Sequence, residues 1–218
     1  MRPMKLEMKN VSIARGGREI LLNVSFSADS GDCVVIRGKN GVGKSSLFAA
    51  MMGLDGVDVI HGEVLVDGVS ILEKKTFERA RSGIFLAHQE PPAIDGVSLS
   101  YMARAAMEAM CGIVDVPEAQ ARIRAASEAL ELPEGFVHKM LNADMSGGEK
   151  KRAEMFQLLV TQPKLALLDE IDSGVDATTQ VILLRAIESL RLSGTAFIVV
   201  THSDAFGKAL NASRIVEL

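Results

Sequence analysis

The chain has 218 residues, 48% of them hydrophobic, with 28 acidic and 24 basic side chains that leave a formal charge of -4. That length can bury a substantial core and lies near the upper end for one compact domain, so one domain with a subdomain is expected. Basic residues scattered through an acidic chain exclude the clustered positive face that nucleic acid needs, and charges interrupt every apolar run before the roughly 18 residues required to span a bilayer, which also excludes direct membrane insertion.

The first residues, MRPMKLEMKN, lack an apolar segment followed by a small-residue cleavage site, so no export signal is expected and the predicted location is cytoplasmic. Lys5 to Ile13 and Ile20 to Phe26 alternate apolar and polar residues around Arg15-Gly16-Gly17-Arg18, predicting an antiparallel hairpin. Cys33 to Ile36 is a continuous apolar run, as in a strand covered on both faces, and it leads through Gly38 into a helix from about Ser45. Val64 to Val66 with the turn Asp67-Gly68 predicts a further hairpin, and Ile84 to Ala87 a short buried strand. From about Ser100 to Leu159 the chain is rich in Ala, Met, Leu, Glu and Arg, which predicts helices bounded at Pro117 and Pro133. Strands return at Leu165 to Leu168 and Phe197 to Val200, with a periodic helix, Thr178 to Leu192, between them. Only Cys33 and Cys111 are present, without a CxxC pair or ligand spacing, so both are expected to be ordinary buried thiols. Tyr101 is the one tyrosine and tryptophan is absent, leaving few platforms on which bases could stack.

Two stretches carry chemistry. Gly38-Lys39-Asn40-Gly41-Val42-Gly43-Lys44-Ser45 matches GxxxxGK[ST] between a strand and a helix. Glycines let backbone N–H groups approach phosphate oxygens, the helix N-terminus favours negative charge, and a lysine there can neutralise the β and γ phosphates. Gly38, Asn40, Gly41, Gly43, Lys44, Ser45 and Ser46 are therefore the candidate phosphate-binding residues, with Ser45 a candidate Mg²⁺ ligand. The apolar run Leu165 to Leu168 delivers two adjacent acids, Asp169 and Glu170, at its C-terminal end, where open parallel sheets bind ligands. Alone, such a pair could equally cap a helix; the phosphate loop upstream favours Asp169 in the metal shell and Glu170 as the base that orients and deprotonates water.

With SGGE at Ser146 to Glu149, these stretches resemble the ATP-binding-cassette (ABC) ATPases, whose signature motif is that tetrad. Gln89 resembles the family's Q-loop glutamine, Ser173 to Asp176 its D-loop, and His202 in VVTHSD its switch histidine, all in the family's order and over nearly the whole chain. The resemblance implies an α/β P-loop NTPase fold, with a mixed or parallel sheet core, an antiparallel β subdomain and a helical subdomain at about residues 90–160 of one nucleotide-binding domain spanning 1–218. It implies ATP and Mg²⁺ as cofactors, with Lys44, Gln89, Glu170 and His202 catalytic and Ser45, Gln89 and Asp169 around the metal. Ser146, Gly147, Gly148 and Asp176 would contact nucleotide, the signature residues doing so across a head-to-tail dimer, so that ATP binding and self-association are linked.

A narrower resemblance lies in SGGEKKRAE, LLDEIDSGVD and FLAHQEPPAIDGVS, which are similar to SufC, the soluble cassette ATPase of the Suf iron-sulfur cluster assembly machinery. Glu149 in place of the usual glutamine and the run Lys150-Lys151-Arg152 are its best discriminators from a transporter subunit. That resemblance implies SufB-like and SufD-like scaffold partners; the alternative is the nucleotide-binding subunit of an ABC membrane transporter. Two departures stand out. Ser12 to Arg18 holds no aromatic residue to stack on adenine, leaving Arg15 as the planar substitute, and the family ordinarily continues into further strand and helix beyond Ile215 to Leu218. Lys151 is also expected to pair with Glu170 and so to restrain idle hydrolysis.

Overall fold

The computed structural model describes residues 4–112 and 114–218, without the side chain of Cys111. The thiol expected at Cys111, and the first three residues of the N-terminal stretch, lie outside that description.

The expected N-terminal hairpin forms and is longer than its alternation alone marks. Strand β1 (Lys5–Arg15) pairs antiparallel with β2 (Arg18–Asp29), closing where Arg15 faces Arg18. Gly16 and Gly17 have φ of 57° and 76°, the left-handed pair that a tight two-residue hairpin requires. Leu6, Met8, Val11 and Ile13 are all buried, although the run changes from even to odd positions. A bulge at Asn10, where φ is 50°, inserts the residue that keeps both pairs on one face. Strand β4 (Val57–Val66) lies on the other side of β1, and Asp67-Gly68 turns it into β5 (Val69–Ser70), completing the antiparallel order β2-β1-β4-β5. Opposite the bulge, a Cβ on Gly62 would stand 2.4 Å from the Asn10 carbonyl oxygen, so this position admits only glycine.

The second sheet is wholly parallel. Its order is β11-β3-β10-β9-β6, built from β3 (Cys33–Arg37), β6 (Ile84–Ala87), β9 (Leu165–Asp169), β10 (Ala196–Val200) and β11 (Arg214–Glu217). Successive side chains alternate between two cores. Val34, Ile36, Leu165, Leu167, Ile198 and Val200 face a cluster shared with the antiparallel sheet and α1 (Lys44–Met52). Cys33, Val35, Ala166, Leu168, Phe197 and Val199 face a cluster shared with α3 (Leu99–Cys111), α4 (Val116–Ala129), α5 (Gly147–Thr161) and α6 (Ala177–Leu192). Two-sided burial is why these strands read as unbroken apolar runs.

The helical stretch expected from Ser100 to Leu159 is interrupted. Its helices are α3, α4 and α5, with Pro117 in the first turn of α4, but Ile94–Ser98 (β7) and Met140–Leu141 (β8) form a small antiparallel pair at the base of α3. The short helices α2 (Thr76–Arg81) and α7 (Asp204–Ala209) and the edge strand β11 are further elements absent from the sequence reading.

Arg79 of α2 is 4% exposed and faces carbonyl oxygens alone. Its Nη1 donates to Ala50 and Met51, Nε to Lys74 and Nη2 to Leu72. A cation thus sits on the last carbonyls of α1, complementing the helix dipole at the end away from the phosphate loop. Gly53, at φ 65°, lets the guanidinium in: a Cβ there would stand 2.7 Å from Arg79 Cζ. We expect Arg79→Met to lower stability in urea unfolding by about 2–4 kcal/mol, because several buried carbonyls lose their donor at once.

Candidate functional site

The parallel strands place their C-terminal ends side by side, and each end delivers one part of the site. After β3, residues 38–43 wrap around the Lys44 side chain, whose Nζ donates to the Gly38 and Lys39 carbonyls at 3.0 and 3.1 Å. Gly43 has φ 112°, and a Cβ there would approach Ile20 Cγ2 to 2.7 Å, so the loop is packed against β2. After β9, Glu170 takes φ 50°, unusual for a side chain with a Cβ and costing roughly 1 kcal/mol. Its amide donates to the Val200 carbonyl at 3.0 Å, which fixes the turn against β10.

That turn aims the Glu170 carboxylate between two donors. Gln89, just beyond β6, donates from Nε2 to Oε2 at 2.8 Å, and His202, just beyond β10, has Nε2 3.0 Å from Oε1. The three groups lie across a cavity of about 450 Å³ from Asn40, Gly41, Gly43, Lys44, Ser45 and Ser46, with Arg15 and Ile20 on its wall. Asp169 lies beneath, 6% exposed, its pKa raised by burial and partly brought back by the Ser45 hydroxyl. Arg15, the planar substitute expected for the missing aromatic, lines this cavity.

Ser146, Gly147, Gly148 and Asp176 do not line this cavity. Ser146 caps α5 in a reciprocal box with Glu149: its Oγ accepts from the Glu149 amide at 3.3 Å, and its own amide donates to Glu149 Oε2 at 2.9 Å. Glu149 also pairs with Lys139, whose hydrogen bond is the main cause that holds its pKa down at about 2. Asp176 caps α6 by accepting from the Thr179 amide at 2.8 Å. Gly147 instead lines a neighbouring cavity of about 630 Å³ with Gln89, Pro92, Lys150, Lys151 and Ser173.

Residues 21–173 match the family described as ABC transporter. The chain belongs to the ABC transporter family. A protein named probable ABC transporter ATP-binding protein from Streptococcus pyogenes is 40% identical over 200 residues, covering 90% of this chain and 78% of that protein. Vegetative protein 296 of Bacillus subtilis is 36% identical over 200 residues, covering 90% of this chain and 77% of its own. Among solved structures, a dimeric bacterial ABC transporter cassette superposes with a TM-score of 0.85 at 24% identity, covering 98% of this chain and 94% of that one. A dimeric cassette in a post-hydrolysis state with ADP and Pi gives 0.84 at 24% identity over the same shares. The ABC cassette fold, α/β with a parallel and an antiparallel sheet, is thereby shared.

Two features of this ABC cassette fit a small divalent cation. Among the described residues Asp169 Oδ1 is buried without a hydrogen-bond partner, and the Ser45 hydroxyl stands beside that carboxylate. Among the described residues no three His, Cys, Asp or Glu side chains cluster as a ligand set, so an ion here would draw most of its shell from phosphate and water. Magnesium is usually held in that way.

The expected Lys151–Glu170 pair does not form. Lys151 is 5% exposed, and its Nζ donates to the Gln89 carbonyl at 2.7 Å and the His88 carbonyl at 3.4 Å, while both Glu170 oxygens are taken by Gln89 and His202. Main-chain oxygens won the ammonium because α5 buries it directly beneath residues 88 and 89.

The sequence pattern does not single out two further residues of the site, Asp172 and Glu154. Asp172 accepts from Thr201 Oγ1 at 2.7 Å, joining the turn after Glu170 to the strand end before His202. Glu154, 5% exposed, accepts from the His88 amide at 3.2 Å, and burial lowers the pKa of His88 itself. The available signal for Glu154 was an acid set among Ala153, Met155 and Phe156.

Burial raises the Glu154 carboxyl from 4.5 to about 7, against the weaker opposing pull of the His88 amide and Lys151. Between those values the folded chain binds a proton that the unfolded chain releases, so this group's contribution is complete below about pH 4.5 and disappears as pH rises through 7. Urea unfolding from pH 4.5 to 8 should show wild type losing roughly 3 kcal/mol relative to Glu154→Gln. Parallel curves for the two proteins would contradict the assignment.

Proposed function

We propose that this chain is a Mg²⁺-dependent ATPase converting ATP and water to ADP and phosphate, with residues 1–218 as a nucleotide-binding domain and about 90–160 as its helical subdomain. The observation that carries the reading is Glu170, held by Gln89 and His202 across one cavity from Lys44. In phosphoryl transfer most of the catalysis is positioning and charge stabilisation. Lys44 leaves its loop carbonyls to neutralise the β and γ phosphates, while Gly38, Asn40, Gly41, Gly43 and Ser46 shape the cradle. Ser45, Asp169 and Gln89 would hold Mg²⁺, which when bound would offset charge on the phosphate oxygens. Glu170 takes the proton of the attacking water as the γ-phosphorus bond to the bridging oxygen breaks, and His202 donates a hydrogen bond to the γ-phosphate.

Ser146, Gly147, Gly148 and Asp176 lie away from their own chain's cavity, and in the proposed head-to-tail dimer Ser146 and its glycines close the partner's. ATP then favours association because it binds the paired form better than the single chain. This division of labour is supported by one relative in fold, a cassette that is dimeric in both of its matching structures.

The finer proposal is a SufC-like role, in which the dimer drives a shape change in SufB-like and SufD-like scaffolds in the cytoplasm. Its support is SGGEKKRAE, with Glu149 serving both the α5 cap and Lys139. No helix among the described residues is long and apolar enough to cross a membrane. The second reading, a transporter subunit, is favoured by the names of the relatives. Detergent-free purification from the native cell separates them: soluble scaffold proteins should co-elute, whereas recovery only with a solubilised membrane protein would favour transport. For the ATP site itself, Glu170→Gln should keep ATP binding and ATP-dependent dimerisation by sedimentation while turnover falls on the order of 10²-fold or more. Near-normal turnover would remove Glu170 as the base.

A further inference from the structure

Gln89 is the least supported member of the catalytic cluster by its own position. It lies on a loop just past the end of β6, half of whose flank is Pro91-Pro92, yet its amide group must meet the Glu170 carboxylate. Glu170 and His202 are each fixed by the parallel sheet. Gln89 leaves the same sheet, but β6 is its edge strand with a neighbour on one side only, and the main chain beyond it is held by one turn of α5.

The hold is two-sided. Lys151 Nζ donates to the carbonyls of His88 and Gln89, and Glu154 Oε2 accepts from the His88 amide. Residues at this spacing lie on the same face of a helix, so a donor and an acceptor grip one short segment from below. Both side chains are 5% exposed, which places the grip away from competing water. Glu154 is itself steadied by Gln157 Nε2 at 3.3 Å from Oε1. On its other flank α5 reaches the start of α6, where Arg152 Nη2 donates to Thr179 Oγ1 at 2.8 Å.

We propose that Lys151 and Glu154 are positioning residues that hold the main chain of His88 and Gln89 where the Gln89 amide meets the Glu170 carboxylate. This rests on the ATPase reading for its kinetic consequence, but not for its structural one. The role differs from simple charge: an ammonium acting on Asp169 and Glu170 through space would act whether or not Gln89 had a side chain.

That difference supplies the test. Lys151→Met keeps the stem and removes the donor, and Glu154→Met removes the acceptor, whereas Lys151→Arg and Glu154→Gln retain them. The two methionine variants should lower kcat by about tenfold with ATP KM changed less than about twofold, and the two conservative variants should recover most of it. In a Gln89→Ala background, Lys151→Met should lower the remaining kcat by less than about twofold, because the group it positions is gone. A full tenfold loss in that background, or wild-type kcat in both methionine variants, overturns the proposal. Amide exchange on the segment containing His88 and Gln89 reads the grip without any turnover: it should quicken in Glu154→Met and stay slow in Glu154→Gln. Unchanged exchange in Glu154→Met overturns the proposal even if ATP is hydrolysed, while an inert wild type with quickened exchange overturns only the ATPase reading.

Discussion

All four strands that feed the cavity run in the same direction, and their register brings their ends level: Ile36 faces Val200, Val200 faces Asp169, and Leu168 faces Ala87. Every functional segment leaves the sheet at that one edge because a parallel sheet has all its C-terminal ends together. The phosphate loop, the acidic pair, Gln89 and His202 are far apart in sequence and depend on this alignment to meet. An antiparallel neighbour at any of these places would send one of the four to the opposite end of the molecule.

The price of such a sheet is coverage on both faces, and the two cores meet it differently. One face takes the antiparallel sheet and α1, whose start follows the phosphate loop and whose end is closed by Arg79. The other takes α3 to α6, including α5, which carries Ser146 at one end and grips His88 and Gln89 a turn later. Packing and chemistry therefore share residues. Met155 and Phe156 bury α5 against the sheet beside the charged pair that faces the loop.

Much of this was readable in the chain. Continuous apolar runs marked the buried parallel strands because both faces of β3, β9 and β10 are covered, and Gly16-Gly17 and Asp67-Gly68 marked the two hairpin turns because left-handed backbone closes each of them. The phosphate loop and the acids after β9 were readable because their chemistry is set by adjacent residues. What escaped depends on tertiary partners. The β7–β8 pair is too short to show a period, and β11 carries no two-sided apolar pattern, since Arg214 and Ile215 are exposed. Lys151 meets carbonyls rather than Glu170 for a physical reason: opposite charges are visible in a sequence, whereas a main-chain carbonyl presented by a folded loop is not. Glu154 was passed over because an isolated acid on a helix ordinarily faces water.

The bulge at Asn10 binds two positions distant in sequence into one steric constraint. While its carbonyl presses toward β4, Gly62 cannot accept any side chain, yet a chain without the bulge would place no such demand and would instead have to rebuild the alternation that buries Leu6 and Met8 together with Val11 and Ile13. The steric demand on Gly62 is thus set by main-chain atoms of Lys9 and Asn10 in the neighbouring strand, and no change of side chain at those two positions would relieve it.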